Sequence, residues 1–318
     1  MSTIARYYVP SGRVAPSAPL SVALLGGLGA LLCASLYAVV IRYNPFVYFS
    51  VIATVVFGLA IGVVASSAAQ HGKSRSTLFN VASALALAMF ALWVHWLIWT
   101  ALRLEDGSRQ AMTLATSGPS GWAGYLSWLA DNYHLSIGRR ARHGAEMSAT
   151  QMHWVWLVEA VLVIVAALLS GWASSTGRAF SEVTGKWASV ELDVHTSDAG
   201  LSVAELKAAL ERGDFALLDE VTVVDPESEN SPTEWKTLSV KLAAEPGDPQ
   251  LRLISVDAVV NRRDDKGNLK QDSTTVVQNL LLPELVYDAL LSRLRAAPLA
   301  AAVPNGTAAV IESEGELA

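Results

Sequence analysis

The sequence predicts a membrane all-α four-helix bundle followed by a small soluble α+β domain, an antiparallel sheet with two helices. Three observations predict this. Four long apolar runs fall within the first 175 of 318 residues, the rest of the chain is charged and broken by turn residues, and the charge reverses between the halves. Residues 1–177 hold ten Lys/Arg and five Asp/Glu, whereas residues 178–318 hold thirteen and twenty-four.

An N-terminal arm, residues 1–19, carries Arg6 and Arg13 and no acid. The runs follow: Leu20 to Ile41, Phe46 to Ser66, Leu78 to Leu102 and His153 to Ala173. Each is long enough, at ~1.5 Å per helical residue, to cross a hydrocarbon core of ~30 Å. A soluble core helix rarely stays apolar for so long. Residues 20–174 therefore read as a four-span domain, interrupted by a polar extramembrane segment, 103–152. Gly26 with Ala30 and Gly58 with Gly62 have the small-xxx-small spacing that lets helix backbones approach closely, within one chain or between copies.

Four spans place both termini on one side. Lys and Arg near the span ends tie at six on each side, so the acid-free arm and the acid-free loop around Lys73 and Arg75 decide, predicting cytoplasmic termini. His95 and Glu159 then lie at similar depth below the opposite face, where Arg42 ends the first span. Ionisable side chains inside a membrane are costly and find partners. These three form a candidate intramembrane polar cluster, either structural glue between helices or a proton or ligand site. Trp93, Trp96, Trp99, Trp154 and Trp156 crowd the same face and predict an interfacial aromatic belt. In segment 103–152, Trp122, Tyr125, Leu126 and Leu129 recur at helical spacing after Gly118 and Pro119, predicting a short interfacial helix. Arg139, Arg140 and Arg142 follow as candidate contacts to lipid headgroups.

Beyond the linker Ser174 to Gly177, residues 178–297 predict the soluble domain. Trp187 to Val194 alternates as a strand does, and Ser202 with Glu205 forms the signature of a capping box ahead of a helix stopped by Gly213. Strands are predicted over Ala216 to Val224, Lys236 to Glu245, Leu251 to Asn261 and Ser273 to Leu282, then a helix from Pro283 to Arg295. Asp264 to Asn268 reads as a hairpin turn, since Arg262 and Lys266 break the acid spacing of a calcium loop. Residues 298–318, Ala-rich and acidic, predict a disordered tail.

Chemistry is sparse. Cys33 is the only cysteine and lies within the first run, which excludes an intrachain disulfide and a thiolate zinc site. The glycines of that run match no phosphate-binding motif, no G-x-S-x-G occurs, and His195 is the only histidine of the soluble half. No metal site, cofactor or catalytic residue is expected. The acidic half repels phosphate backbones, so nucleic acid is excluded as a partner. The expected partners are the lipid bilayer, a protein for the acidic domain and further copies of the chain.

Several segments resemble a group of uncharacterised bacterial four-helix integral membrane proteins. They are the arm Arg6-Tyr7-Tyr8-Val9-Pro10-Ser11-Gly12, the turn Tyr43-Asn44-Pro45-Phe46-Val47-Tyr48, the start of the last span Trp154-Val155-Trp156-Leu157-Val158-Glu159-Ala160 and the junction Phe180 to Trp187. The resemblance covers the membrane half and the junction. It implies a multi-pass protein of the plasma (bacterial inner) membrane and supplies no activity. The function expected is a non-enzymatic scaffold or sensor presenting a cytoplasmic protein-interaction domain. The alternatives are a small transporter or channel component using Glu159 and His95, and an intramembrane enzyme.

Overall fold

The computed structural model describes the chain apart from residues 1–4, 45–46, 105, 133–135, 138–144, 176, 220, 226–233, 265–267, 298–299 and 302–318, with a few element ends described in backbone only. The chain divides into two compact units: Ser11–Gly177, and a second that joins the described residues up to Pro10 to those from Arg178 onward.

The first unit is built on α1 (Ser17–Tyr43), α2 (Val47–His71), α3 (Thr77–Arg103) and, after the intervening elements, α6 (Ala149–Ser175). Among the described residues, these are the four helices long and apolar enough to cross a membrane, each roughly 36–40 Å in length. α1 contains one π-helical turn, Val22–Gly26, that the apolar pattern does not reveal. α2 continues past the end of its apolar run because the polar residues there have work inside the bundle. Ser66 Oγ donates to the Gly171 carbonyl at 2.9 Å, and Gln70 Nε2 donates to the Ser174 carbonyl at 2.7 Å.

Small residues make the helix contacts. Ala30, Ala34, Ala65, Ala84, Ala88, Ala91 and Ala167 are all fully buried in one core. A Cβ placed on Gly62 would lie 2.3 Å from the Ala167 carbonyl oxygen, and one on Gly58 2.5 Å from that of Val163. Gly26 is similarly filled, by Leu87 at 2.7 Å. The small-residue spacing read from the sequence therefore serves contacts within the chain.

Segment 103–152 contains two helices, α4 (Gly107–Thr116) and α5 (Pro119–Asn132), where the sequence predicts only the second. α5 buries Leu129 and Ala130, and its Tyr125 hydroxyl lies 2.7 Å from Thr100 Oγ1 of α3. The short strands β1 (Ser136–Ile137) and β2 (Ala145–Glu146) pair antiparallel before α6. Arg139, Arg140 and Arg142 lie outside the described residues.

The second unit opens with a hairpin of β3 (Phe180–Ser181) and β4 (Lys186–Trp187). Its sheet contains β5 (Ser189–Ser197), which leads into helix α7 (Val203–Glu211). A 3₁₀ turn (Phe215–Asp219) and β6 (Val224–Asp225) follow, then β7 (Glu234–Ala244), β8 (Arg252–Arg263) and β9 (Leu269–Leu281), and finally helix α8 (Glu284–Ala296) and β10 (Ala300–Ala301). The four long strands form one antiparallel sheet in the order β5-β7-β8-β9. Leu238, Val240 and Leu242 of β7, with Ile254 and Val256 of β8, form the core face against Leu206 and Leu210 of α7 and Tyr287, Leu290 and Leu294 of α8.

Of the strand predicted over Ala216 to Val224 only the end pairs: Val223 forms an isolated antiparallel bridge to Thr196 of β5, and Val224 begins β6. The first half of the predicted stretch is the 3₁₀ turn, because buried Leu218 packs into the core and Arg293 of α8 donates to the Leu218 and Val221 carbonyls, which a ladder would otherwise occupy. The hairpin turn predicted between β8 and β9 is closed by Asp264 and Asn268, whose main chains bond at 3.0 Å. Ala300–Ala301 pairs in parallel with β6; the remainder of the tail expected to be disordered lies outside the described residues.

Residues 5–10 of the N-terminal arm belong to this second unit, and the arm from Ser11 on belongs to the first. Tyr8 N–H donates to the Asn279 carbonyl and Leu281 N–H to that of Arg6, so the arm adds a short antiparallel segment to the outer edge of β9. A register irregularity between Val277 and Leu280 and the positive φ of Asn279 (54°) fall at this docking point. An otherwise open sheet edge is thereby covered.

Candidate functional site

The polar groups inside the four-helix unit converge on Tyr37. Its ring is buried, stacked on Phe57 at 4.3 Å and tilted against His95 at 4.7 Å between centroids. Its hydroxyl donates to Glu159 Oε1 at 2.6 Å and lies 2.7 Å from Thr54 Oγ1, which in turn reaches the Ser50 carbonyl at 2.8 Å. All four helices contribute: Tyr37 from α1, Thr54 from α2, His95 from α3 and Glu159 from α6.

The hydrogens in this chain can be counted. Three contacts link Glu159, Tyr37, Thr54 and the Ser50 carbonyl, while the two hydroxyls bring two protons. A proton on the Glu159 carboxyl would supply the third, with the Tyr37 hydroxyl then accepting from Glu159 and donating to Thr54 Oγ1. The arrangement can thus order a proton, or, fully satisfied, hold four helices in register.

His95 and Glu159 therefore meet through a residue between them, Tyr37. Neither it nor Thr54 is charged, so a search for ionisable residues within apolar runs passes over both; a phenol in mid-run is the signal that marks the place. Arg42 is not part of the cluster. Its guanidinium lies 5.4 Å from the ring centre of Tyr43, and among the described residues it makes no ion pair with Glu159. The phenol gives the carboxyl a short hydrogen bond without a second charge in an apolar interior, where an ion pair costs desolvation on both sides.

His95 is 3% exposed and, among the described residues, its Nδ1 has no hydrogen-bond partner. Beyond it, the five tryptophans divide. Trp93 and Trp154 are exposed on the outside of the bundle, as a lipid-facing belt requires. Trp99 is buried instead, with Arg103 5.9 Å from its ring, and Trp96 packs edge-on against both Trp99 (5.7 Å) and Trp156 (5.3 Å). These three form an interhelical aromatic cluster that joins α3 to α6 above His95. A second feature lies alongside: a cavity of about 360 Å³ between α4 and α5, lined by Arg109, Gln110, Thr113, Leu114, Tyr125 and Trp128. It offers one cation, two aromatic rings and amide and hydroxyl groups.

Among the described residues no group of three or more His, Cys, Asp or Glu is placed to hold a metal. The architecture is that of an apolar four-helix bundle joined to an antiparallel-sheet domain. No family model matches the chain, and neither a curated protein nor a solved structure matches it.

Proposed function

We propose that the chain is a non-enzymatic scaffold or sensor of the bacterial inner membrane, in which the bundle anchors the α+β unit on the cytoplasmic side for contact with a protein partner. The observation that carries this reading is how the polar side chains of the bundle are used. Tyr37, Thr54 and Glu159 bond to one another, Ser66 and Gln70 bond to carbonyls of α6, and Ser170 bonds to the Leu59 carbonyl. Groups committed to helix contacts serve anchoring. A joint fold of the arm with the residues after Gly177 also fits an even number of crossings, because an odd number would separate them by a bilayer.

Crosslinking in native membranes tests this, using the full chain and a chain ending at Gly177. Specific partners captured by the full chain and lost with residues 178–318 support the reading; identical capture by both chains overturns it.

Transport is the second reading, favoured by the unpartnered Nδ1 of His95 against the Tyr37 ring. Proteoliposomes containing a pH-sensitive dye separate the two. Proton flux above that of empty vesicles, abolished by Glu159→Gln, would replace the scaffold with a transporter.

A further inference from the structure

We propose, resting on the membrane reading of the bundle, that the cavity between α4 and α5 binds one anionic phospholipid. Its phosphodiester meets Arg109 and Gln110, and its hydrocarbon lies against Tyr125 and Trp128. The space is about 360 Å³, lined by Arg109, Gln110, Thr113 and Leu114 of α4 with Tyr125 and Trp128 of α5. That volume suits a headgroup or other small organic ligand.

The polar wall comes from one face of α4, where Arg109, Gln110 and Thr113 follow helical spacing. Among the described residues, the Arg109 guanidinium makes no ion pair or hydrogen bond, and the Gln110 side-chain amide makes none either. Thr113 Oγ1 donates to the Arg109 carbonyl at 3.1 Å, which leaves its lone pairs to accept from a headgroup hydroxyl. No acid lines the cavity, and Asp106, one turn before Arg109, does not pair with it. A guanidinium without an acid partner attracts an anion, and its planar fork fits two oxygens of a phosphodiester.

The apolar wall is held in place by the protein itself. Tyr125 Oη lies 2.7 Å from Thr100 Oγ1, and its ring stacks on Trp128 with centroids 6.2 Å apart. The phenol is thereby spent on α3, and buried Leu114 closes the floor. Trp128 is exposed, as is Met112 of α4, so apolar surface continues out of the cavity. Depth is fixed by the same contacts. Thr100 lies one turn before the end of α3 at Arg103, and α4 starts against that turn, since a Cβ on Gly107 would lie 2.3 Å from the Thr100 carbonyl oxygen. The cavity therefore sits at the end of a span, the level of lipid phosphates and of interfacial Trp and Tyr. A soluble anion would use Arg109 and leave the rings uncovered; an anionic amphiphile uses both walls.

The test uses the full chain in mixed micelles with phospholipids brominated on one acyl chain, which quench tryptophan emission on contact. Brominated phosphatidylglycerol should quench a saturable component of the emission that is missing from Trp128→Phe. Brominated phosphatidylcholine should need about fivefold more lipid, and Arg109→Gln should raise the phosphatidylglycerol requirement by about fivefold, the share of one cation near an anionic headgroup. Arg109→Lys, which keeps the charge and loses the fork, should fall between. Arg109 is exposed, so these variants leave the packing intact. Equal half-saturation for the two lipids, or a curve unmoved by Arg109→Gln, overturns the site. Relief of the quenching by water-soluble glycerol phosphate assigns the cavity to a free anion and overturns the lipid. If the membrane reading itself fails, neither lipid quenches the outward-facing Trp93 and Trp154; if they are quenched and the saturable component is missing, the site alone falls.

Discussion

Tyr37 Oη lies 2.6 Å from Glu159 Oε1 and joins the first long helix to the last through a buried phenol. Tyr37→Phe keeps the stacking on Phe57 and removes both hydroxyl contacts, leaving a carboxyl without its partner. The bundle is expected to lose roughly 1–3 kcal/mol, the cost of an unsatisfied buried polar group. Glu159→Gln retains an acceptor and should cost less. Unfolding in mixed micelles, with the two variants side by side, checks the order; no loss in Tyr37→Phe would mean that the hydroxyl contributes little.

The α2–α6 seam gives a sharper steric prediction. Gly62→Ala places a methyl 2.3 Å from the Ala167 carbonyl, so the helices must separate, at about 1–3 kcal/mol. Gly27→Ala in α1 meets nothing within 4 Å and should be neutral or stabilising by up to ~1 kcal/mol. Both are read from thermal unfolding of the same detergent-solubilised chain.

Tyr7 donates to Glu211 Oε1 at 2.7 Å and anchors the arm to α7. Burial, then the hydrogen bond and charge of Glu211, push the phenol from its ordinary value of 10 up to about 12. A phenol whose ionisation is raised on folding stabilises the docked arm fully below pH 10. That stabilisation is lost as pH rises through about 12. Hydrogen exchange at the Tyr8 and Leu281 amides should accelerate over that window, and in Tyr7→Phe this alkaline step should disappear.

Ser202 and Glu205 complete the capping box of α7, with the Glu205 amide donating to Ser202 Oγ at 3.3 Å and the Ser202 amide to Glu205 Oε2 at 3.0 Å. Ser202→Ala should destabilise the unit by about 1 kcal/mol. The side chain of Ser202, then its amide, hold the Glu205 carboxyl below its usual range. Its share of stability is therefore present above the ordinary carboxylate pKa and fades as pH falls through the lowered one. Acid unfolding of the wild type and of Glu205→Gln should converge at the acidic end.

Much of the fold is legible in local pattern. Long apolar runs can be little else than helices, and the capping box, Gly213 and the β8–β9 turn follow rules that span four or five residues. The errors are non-local. The apolar residues 216–224 look like a strand until Arg293, some seventy positions away, takes the Leu218 and Val221 carbonyls. α4 is the exception: short and amphipathic, its helix is within reach of local periodicity and goes unpredicted without any non-local cause. Arg42 and Glu159 suggest an ion pair only when charge is the sole criterion; Tyr37 is a better partner because it asks no second charge to leave water.

By itself the sequence determined the class of each half: four helices apolar enough to cross a membrane, and an acidic antiparallel-sheet domain after them, because hydrophobic length and turn chemistry act locally. Only the tertiary structure decided which side chains meet. It brought Tyr37 between His95 and Glu159, the arm to the edge of β9, and Ser181 against Asp248. Such pairings depend on contacts across tens to hundreds of residues, which no local pattern encodes.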